Sequence, residues 1–566
     1  MIAARVDRAT VTYLSQPVLR EIKWEVHDDR CVGLVGPNGS GKSTLLRLLA
    51  GLQPADSGGV VLARGVTVGL LPQEISFPQG RTVWGEALSA SQEIARLEAE
   101  LARVEEQLGD PLVYGDERLL RRALARQEEV LAAHERAGGP GYPGRLRGIL
   151  YSLGFSDADL GLPTTVLSGG QGKLLALAKL MVVQPELLLL DEPDNHLDLA
   201  GKRMLERYIR EYKGGVIVVS HDRYLLDMVV DEVAELDVGR LTLYDGNYSE
   251  YAYERDLWRA RQGQLYQVQQ REIARLERSA ARLMTWARIY DVPKFAGRGQ
   301  AILKRLERIE RVEAPAGERR RMGLQLAGWR GSERVLHVEG LSKSFRGPEG
   351  TEKAVLEGVD LLLHHGDRVG LVGPNGAGKT VLLRLILGEL QADSGDIRLG
   401  PGVRVGLYAQ QHETLAPDMS LLETVMRAGP MSEREAIGFL GRFLFPYEQV
   451  RAPVRTLSGG EKGRMQMALL TLSNANLLLL DEPTNNLDIA SAEVLEEALE
   501  SFEGTVLVIS HDRYFLDRIV TRIEALEGGK LTGYSGTYSE YEAARTAAEG
   551  RSEPPAREQR PMRQKP

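Results

Sequence analysis

Uninterrupted apolar runs of four or five residues recur along the chain and end in glycine or polar residues. One runs from Cys31 to Val35, another is "LLLL" from Leu187, and a third is "VIVV" from Val216. Such runs predict strands of a parallel sheet that is covered on both faces. Apolar stretches that follow glycine-rich segments, such as "KLLALAKLMV" from Lys173, predict helices. The pattern as a whole predicts an α/β fold.

These elements occur twice. The segment "VGLVGPNGSGKSTLLRLLAG" from Val32 returns as "VGLVGPNGAGKTVLLRLILG" 337 residues later, whereas "LLLLDEPDNHLD" returns as "LLLLDEPTNNLD" after 290 residues. The first copy therefore contains 47 additional residues, located between Gln73 and Ser168. We predict two similar domains in tandem, a first domain at 1–250 and a second domain at 333–545.

The additional residues predict a helical arm at about 89–140. Apolar residues recur at intervals of three and four on both sides of "GDPLVYGDE", and "AGGPGYPG" ends the second run. The arm is acidic, with 11 Asp and Glu against 7 Lys and Arg. Two interpretations stay open: a subdomain that only packs, and an arm that docks a partner.

A basic linker, 251–332, separates the two domains. Residues 255–321 hold 17 Lys and Arg against 8 Asp and Glu, in a chain whose net charge is −8. Two helices are predicted, at about 249–289 and 300–312, with the breakers of "YDVPKFAGRGQ" between them. A projecting hairpin would place aromatic rings beside cations at its tip, a combination that suits unpaired nucleic-acid bases. The candidate RNA contacts are Tyr290, Lys294, Phe295, Arg298, Lys304 and Arg305. A charged coiled coil that only tethers the domains is the alternative.

Composition indicates the class of protein and its cellular compartment. Hydrophobic residues make up 43% and charged residues 27% of the 566 residues, as in globular proteins. No apolar stretch approaches the roughly 20 residues that span a membrane, and the N-terminus lacks the apolar core of a signal peptide. The single cysteine, Cys31, has no partner for an internal disulfide. These features predict a cytoplasmic protein. The tail at 546–566 is rich in proline and arginine and is expected to be disordered.

Two glycine-rich loops match the phosphate-binding pattern G-x-x-x-x-G-K-[ST]. Each follows an apolar strand and opens an apolar helix, which is the context that this pattern requires. Backbone N–H groups of such a loop wrap phosphates, the lysine reaches the β- and γ-phosphates, and the hydroxyl residue binds Mg²⁺. The first phosphate loop consists of Gly36, Pro37, Asn38, Gly39, Ser40, Gly41, Lys42 and Ser43, followed by Thr44, and the second of Gly373, Pro374, Asn375, Gly376, Ala377, Gly378, Lys379 and Thr380.

Acidic residues and a histidine follow the later strands of each copy. Asp191 and Asp481 suit the Mg²⁺ shell, and Glu192 and Glu482 are placed to polarise or deprotonate an attacking water. His221 and His511 end the next strand, where an imidazole, neutral or charged, could hold the γ-phosphate.

The polar segment "LSGG" also occurs twice at predicted helix starts. Its residues are Ser168, Gly169 and Gly170 in the first copy and Ser458, Gly459 and Gly460 in the second. A serine followed by glycines at a helix N-terminus forms a cradle for phosphate. Because each copy already has its own phosphate loop, we expect each cradle to serve the nucleotide of the other copy, with the two copies packed head to tail.

Taken together, these motifs resemble tandem ATP-binding-cassette (ABC) ATPases over both domains. The resemblance implies two P-loop ABC domains joined by a long helical hairpin linker. It also implies that Tyr13 and Phe345 stack on adenine, and that Gln73 and Gln410 join the Mg²⁺ shell with Ser43 and Thr380. This sequence departs from the pattern at Val381, Asp194 and Asn486, which makes unequal sites an expectation. Val381, where the family has a hydroxyl residue, cannot donate a hydrogen bond to the α-phosphate.

Two cassettes, a basic helical linker and an arm in the first cassette resemble the ABC-F family in particular. This resemblance implies a monomeric ATPase that hydrolyses Mg·ATP and works on the ribosome, with its linker near the tRNA exit region and the peptidyl-transferase centre. Protection from antibiotics and rescue or regulation of translation are both known outcomes in the family. The alternatives are an ATPase directed to branched DNA and the motor of a separate membrane permease.

Overall fold

The computed structural model describes the chain except for residues 14–15, 91, 110–114, 137–138, 140, 196, 291–292, 310–321, 327–330, 347–351, 410–414, 486 and 553–566. Its two domains each combine a six-stranded, mostly parallel sheet with a three-stranded antiparallel sheet. This confirms the predicted α/β class. Among the described helices, none has the length and apolar composition that crossing a membrane requires.

The described residues of the first domain form nine strands, and most of the helices lie between them. The strands are β1 (Ile2–Tyr13), β2 (Gln16–His27), β3 (Cys31–Val35), β4 (Ser57–Leu62), β5 (Val68–Leu71), β6 (Leu187–Asp191), β7 (Gly215–Val219), β8 (Glu232–Asp237) and β9 (Arg240–Asp245). The helices are α1 (Lys42–Leu49), α2 (Val83–Leu88), α3 (Gln92–Leu108), α4 (Glu117–Arg136), α5 (Tyr142–Ser152), α6 (Asp157–Leu160), α7 (Gly169–Val183), α8 (Leu199–Glu211) and α9 (Arg223–Val229).

The linker and the second domain follow. The linker helices are α10 (Tyr248–Tyr290) and α11 (Pro293–Glu307). The strands are β10 (Arg334–Arg346), β11 (Glu352–His364), β12 (Arg368–Val372), β13 (Ser394–Leu399), β14 (Val405–Tyr408), β15 (Leu477–Asp481), β16 (Thr505–Ile509), β17 (Arg522–Glu527) and β18 (Lys530–Ser535). The helices are α12 (Lys379–Ile386), α13 (Leu421–Ala428), α14 (Glu433–Arg442), α15 (Gly459–Leu472), α16 (Ile489–Glu500), α17 (Arg513–Ile519) and α18 (Tyr538–Ser552).

The sheet order explains why the repeated motifs of each copy meet. The six strands of the first domain run in the order β5-β6-β7-β3-β8-β9, and those of the second in the order β14-β15-β16-β12-β17-β18. In each domain the strand before the phosphate loop, β3 or β12, lies next to β7 or β16, which leads to a histidine (His221 or His511, called the switch histidine below). On its other side β7 or β16 lies next to β6 or β15, the strand that leads into the two carboxylates. Parallel strands present their carboxyl ends at one edge of the sheet, which is where α/β folds bind ligands.

Alternate residues of the central strands pack into two separate cores. Leu188 and Leu190 face one side of the first sheet, with Leu205 of α8, while Leu187 and Leu189 face the other side, towards α1. Both faces are buried, as the unbroken leucine run predicted. Each domain also packs one side chain against the core of the other. Ile489 of the second domain packs against the core of the first, and Leu199 of the first packs against the core of the second.

The described residues of the arm form helices α3 and α4. The Arg126 guanidinium binds the Glu100 carboxylate of the opposite helix and lies 2.6 Å from Glu129 on its own helix. The residues between the helices, 110–114, lie outside the described part.

The linker hairpin differs from the prediction at its second helix. This helix begins at Pro293 rather than near residue 300, because proline is favoured in the first turn of a helix, where its missing N–H needs no partner. Lys294, Phe295 and Arg298 therefore lie on a helix instead of in an irregular tip. Gly299 does not break the helix; a Cβ added there would lie 3.0 Å from Sδ of Met284, so glycine permits close packing of the two helices.

The C-terminal prediction is also wrong in part. Helix α18 continues to Ser552, beyond the expected start of the tail at residue 546. Its first turns are anchored by the buried rings of Tyr538 and Tyr541, and the alanine-rich sequence that follows has high helix propensity. The rest of the predicted tail, 553–566, lies outside the described residues.

Candidate ATP sites

Both phosphate loops adopt backbone conformations that require glycine. Gly36 has φ +151°, and a Cβ there would lie 2.3 Å from the carbonyl oxygen of Leu236. Gly373 repeats this geometry, with φ +155° and the carbonyl oxygen of Leu526 at 2.4 Å. Each loop leads directly into a helix that starts at its lysine. The loops thus present backbone N–H groups at a helix N-terminus, where phosphate binds favourably.

We expect Gly36→Ala to lower the affinity of the first site for ATP by about tenfold or more, because a contact with backbone cannot be relieved without moving the loop. The matched control is Gly39→Ala, since Gly39 also has positive φ but its added Cβ would meet nothing within 4 Å. Titration with a fluorescent ATP analogue, in a variant whose second site is disabled by Lys379→Ala, measures both. Equal affinities of the two alanine variants would contradict this prediction.

The loop lysines fold back onto their own loops. Lys42 Nζ donates to the carbonyl oxygens of Gly36 at 2.9 Å and Pro37 at 3.0 Å. Lys379 Nζ makes the same bonds to Gly373 at 2.8 Å and Pro374 at 3.0 Å. Burial lowers the pKa of both ammonium groups. Each ammonium group therefore lies beside its own loop, where phosphate oxygens can replace the carbonyl oxygens as its hydrogen-bond acceptors.

The two aspartates at the strand ends face the loop hydroxyls. Thr380 Oγ1 donates to Asp481 Oδ2 at 3.0 Å, and the Ser43 hydroxyl hydrogen-bonds to Asp191. Burial raises the pKa of the Asp191 carboxyl, and the bond from Ser43 offsets part of this increase. Oδ1 of Asp191 is buried and has no hydrogen-bond partner among the described residues. A buried carboxylate oxygen with spare acceptor capacity beside a hydroxyl fits the oxygen ligation that Mg²⁺ prefers.

The neighbouring glutamates have backbone conformations in the left-handed region, with φ +48° at Glu192 and +49° at Glu482. Glu192 Oε2 accepts from Gln73 Nε2 at 2.8 Å and from Asn195 Nδ2 at 2.5 Å. Burial, followed by the charges of Asp191 and Asp194, raises the pKa of Glu192. The first site thus gathers the predicted Gln73, Asp191 and Glu192, together with Asn195, which sequence reasoning missed.

In the second site the glutamate is held by the switch histidine. The backbone N–H of His511 donates to Glu482 Oε2 at 3.2 Å, and its Nε2 lies 3.5 Å from Glu482 Oε1. Burial, followed by the charge of Asp481, raises the pKa of Glu482 to about 8. In the first site Nε2 of His221 lies 3.7 Å from Glu192 Oε1. Gln410, the predicted counterpart of Gln73, lies outside the described residues.

Burial favours the neutral form of both histidines. Burial, followed by the charge on Lys42, lowers the pKa of His221 to about 4. Burial and the charge on Lys379 also lower the pKa of His511 well below its usual value. Of the two forms that the sequence left open, the surroundings of both rings therefore favour the neutral imidazole.

The pKa of Glu482 implies a pH-dependent stability of the metal- and nucleotide-free protein. Between the ordinary glutamate value of 4.5 and about 8, the folded state keeps a proton that the unfolded chain releases. Raising the pH through this window therefore destabilises the fold. We expect Glu482→Gln to raise the thermal midpoint in EDTA relative to wild type, by more at about pH 8 than at about pH 5.5. Glu497→Gln, at an exposed position of α16, is the control.

The second site is formed by both domains. Ser168, Gly169 and Gly170 line the same cavity of about 630 Å³ as Lys379, Thr380, Glu482 and His511, and Phe345 lies at this cavity as the resemblance implied. Ser168 caps α7, because its side chain accepts from the backbone N–H of Gln171. The second phosphate loop and the first LSGG segment therefore face each other across the interface.

Reciprocal contacts of two further aspartates show the same head-to-tail packing. The backbone N–H of Asn375 donates to Asp198 Oδ2 at 3.3 Å, and that of Asn38 donates to Asp488 Oδ2 at 3.4 Å. Each phosphate loop is thus touched by an aspartate of the other domain. Sequence reasoning missed both, although the repetition of "NHLD" and "NNLD" was the available signal. Tyr13 is 47% exposed on β1, next to residues that lie outside the described part.

Two arginines, Arg223 and Arg513, each contact residues of the other domain beside the sites. Arg223 lies 3.9 Å from the ring centroid of Tyr514 and binds the buried Glu496, while Arg513 lies 4.5 Å from that of Tyr224. The Arg513 guanidinium also lies 3.0 Å from Glu206. The repeated "HDRY" sequence, which begins at each of the two histidines, carried this signal. The interface therefore contains desolvated charge pairs next to the reacting centres.

The positions that depart from the family pattern have different outcomes. Val381 lines the second cavity, as does Asp194. Asp194 is buried and accepts from Ser220 Oγ at 2.8 Å. Asn486 lies outside the described residues.

The candidate RNA contacts on the linker have unequal exposure. The side chains of Lys294, Arg298, Lys304 and Arg305 are exposed, and Tyr290 is 66% exposed. Phe295 instead packs edge-on against Trp286, with ring centroids 6.1 Å apart. Its ring thus contributes to the packing of the hairpin and offers less surface to a partner than the sequence suggested.

Comparison with known proteins agrees with these sites. The profile of the ABC transporter family matches residues 19–195 and 356–485, and an extension profile, also described as ABC transporter, matches 234–325. The chain is 36% identical to the putative ATP-binding protein YdiF of Bacillus subtilis, over 96% of this chain and 83% of YdiF. It is 33% identical to ABC transporter F family member 5 of Arabidopsis thaliana, over 95% and 77%. It is 34% identical to the energy-dependent translational throttle protein EttA of Mycobacterium tuberculosis, over 93% and 92%. The chain belongs to the ABC-F family of tandem ATP-binding-cassette ATPases.

Proposed function

We propose that this ATPase closes around two Mg·ATP molecules and that the closed form acts on the ribosome to regulate translation. The observation that carries the nucleotide part is the cavity shared by Ser168–Gly170 and the second phosphate loop. By the same symmetry, Ser458–Gly460 serve the first phosphate loop. Each ATP is thus held by one domain and covered by the other, so that closure needs nucleotide at the interface.

Within each site the residues have separate roles. Glu192 and Glu482 act as general bases towards the attacking water, and burial, which raises the pKa of both carboxyls, makes each a stronger base once it is ionised. The neutral imidazoles of His221 and His511 hold the γ-phosphate by a hydrogen bond. The lysines of the loops exchange their carbonyl partners for phosphate oxygens. Tyr13 and Phe345 stack on the adenines.

The residues present fit a magnesium ion in each site. Ser43, Gln73 and Asp191 would hold it in the first, and Thr380 and Asp481, with Gln410, in the second. When bound, the ion neutralises charge on the phosphates and polarises them towards attack. The buried, unpartnered Oδ1 of Asp191 supports this assignment.

The ribosome as partner rests on two observations. A relative that spans nearly the whole chain is named a translational throttle protein. The linker hairpin carries the positive charge of an otherwise acidic protein, and its cations Lys294, Arg298, Lys304 and Arg305 are exposed. Such a basic, projecting element suits the phosphate backbone of RNA. We place the hairpin near the tRNA exit and peptidyl-transferase region, with the protein as a cytoplasmic monomer.

Charge reversal on the hairpin tests this function. We expect Lys304→Glu with Arg305→Glu to lower ribosome affinity by about tenfold or more in the presence of a non-hydrolysable ATP analogue. The dependence of binding on salt should also become shallower, because fewer counterions are released. The matched control reverses two exposed cations of the first domain, Lys23 and Arg64. Co-sedimentation over a salt series measures both.

Unchanged ribosome binding by the hairpin variant would contradict the proposal. Preferential binding of wild type to branched DNA, or its recovery with membranes, would instead support one of the two alternative functions.

A further inference from the structure

The two domains differ in a pair of buried charges at their interface. Lys202 in α8 occupies the place that Ala492 has in α16, and Asp194 occupies the place of Thr484, each 290 residues apart. Both charged residues are buried, with exposures of 8% and 6%. One added cation and one added anion compensate each other, so the first domain carries a charge pair where the second has neutral residues.

The ammonium group of Lys202 joins the two domains. Its Nζ donates to Asp222 Oδ2 of its own domain at 2.8 Å and to the backbone carbonyl oxygen of His511 at 2.9 Å. The charge of Asp194 acts on the same ammonium, and Ser220 Oγ holds this carboxylate in place. Asp512 of the second domain also acts on this ammonium, and a buried cation with carboxylates near it is neutralised locally, which is the condition for keeping it at an interface.

The carbonyl that Lys202 binds belongs to the switch histidine of the second site. The N–H of this same residue donates to Glu482 Oε2, and its imidazole lies beside Oε1. Lys202 therefore fixes, from the opposite domain, the backbone that orients both the imidazole and the glutamate. The reciprocal position cannot do this for His221, because the methyl group of Ala492 has no donor.

We propose that Lys202 is a positioning residue for hydrolysis at the second site, where it aligns His511 and Glu482 only when the two domains are closed. Asp194 supports it by balancing its charge. Because Ala492 stands at the corresponding position, it makes no such bond to the first site, so the two sites differ in how strictly turnover depends on closure. This inference deepens the proposed function and rests on the roles given there to Glu482 and His511.

The second domain provides a neutral version of the same place. In the double variant Asp194→Thr with Lys202→Ala, the first domain takes the pair that the second domain carries at these positions, which removes one buried cation and one buried anion together. Both this variant and its control, Asp194→Thr alone, are made in a Glu192→Gln background, so that turnover reports the second site. We expect kcat of the double variant to fall about tenfold below the control while KM changes less than about twofold.

A merely structural contribution of Lys202 would give a different result. It would lower the thermal midpoint and raise KM without a selective loss of kcat. A double variant with the kcat of its control would overturn the inference.

The proposed function is checked separately in the same series. Glu192→Gln combined with Glu482→Gln must lose turnover with Lys202 intact. If that protein still hydrolyses ATP, the role given to the glutamates is wrong irrespective of Lys202. If this glutamine double variant is inactive but the Asp194→Thr, Lys202→Ala variant has the kcat of its control, the inference about Lys202 is wrong and the role of the glutamates stands.

Discussion

Replacement of both Glu192 and Glu482 by glutamine is expected to lower the ATP hydrolysis rate by about 100-fold to 10,000-fold. Glutamine has nearly the same shape but cannot accept a proton from water. The hydrogen bonds that Gln73 and Asn195 donate to Glu192 can be kept by the amide oxygen, as can the bond from the His511 N–H to Glu482. The sites should therefore keep their geometry and still bind ATP.

Release of inorganic phosphate under steady-state conditions measures this loss, and equilibrium dialysis with ATP measures retained binding. The single variants separate the two sites. Because the buried Glu482 is held by the adjacent His511 and Glu192 by Gln73 and Asn195, we expect the two residual rates to differ. A double variant that keeps more than about half of the wild-type rate would contradict the assignment of these glutamates.

The second large effect is expected from a charge placed in the LSGG segment. Ser168→Asp keeps the helix cap, since aspartate caps a helix as well as serine does. It also places a carboxylate in the cavity of the second phosphate loop, facing the phosphates from the other domain. Repulsion at this position should lower second-site turnover by about 100-fold.

Site assignment follows from where the loss occurs. In a Glu192→Gln background, which reports the second site, Ser168→Asp should remove turnover. In a Glu482→Gln background it should have a small effect, whereas Ser458→Asp should remove first-site turnover. If Ser168→Asp instead disabled the site of its own domain, the head-to-tail arrangement of functional sites would be wrong.

The sequence alone predicts the elements whose residues carry local signals. The two phosphate loops, the carboxylate strands and the switch histidines all have glycine or apolar patterns that dictate their backbone, and the structure places them at one sheet edge in each domain. The unbroken leucine runs predicted a sheet buried on both faces for the same reason.

Contacts between the domains were harder to predict, because they depend on which surfaces meet. Asp198 and Asp488 reach the phosphate loop of the other domain, and Lys202 reaches His511, only through the packing of whole domains. No local pattern around Lys202 distinguishes it from an exposed helical lysine. A position-by-position comparison of the two copies does distinguish Lys202, because both Lys202 and Asp194 differ from their counterparts, Ala492 and Thr484.

The linker shows how one residue type can mislead in context. Pro293 was interpreted as a helix breaker, yet proline in the first turn starts a helix. Gly299 weakens a helix in isolation, but here it accommodates Met284 of the opposite helix. Tertiary packing thus decided the extent of the second helix where propensity alone predicted a loop.

The central claim is that ATP-driven closure of the two domains engages the ribosome. Its most direct test is co-sedimentation of the Glu192→Gln, Glu482→Gln double variant with ribosomes, with and without ATP, beside wild type. The account predicts that the double variant is retained on ribosomes with ATP, is absent without it, and exceeds wild type, because closure occurs but reopening by hydrolysis does not. A double variant that binds ATP and yet stays in the supernatant at every ATP concentration would contradict the account.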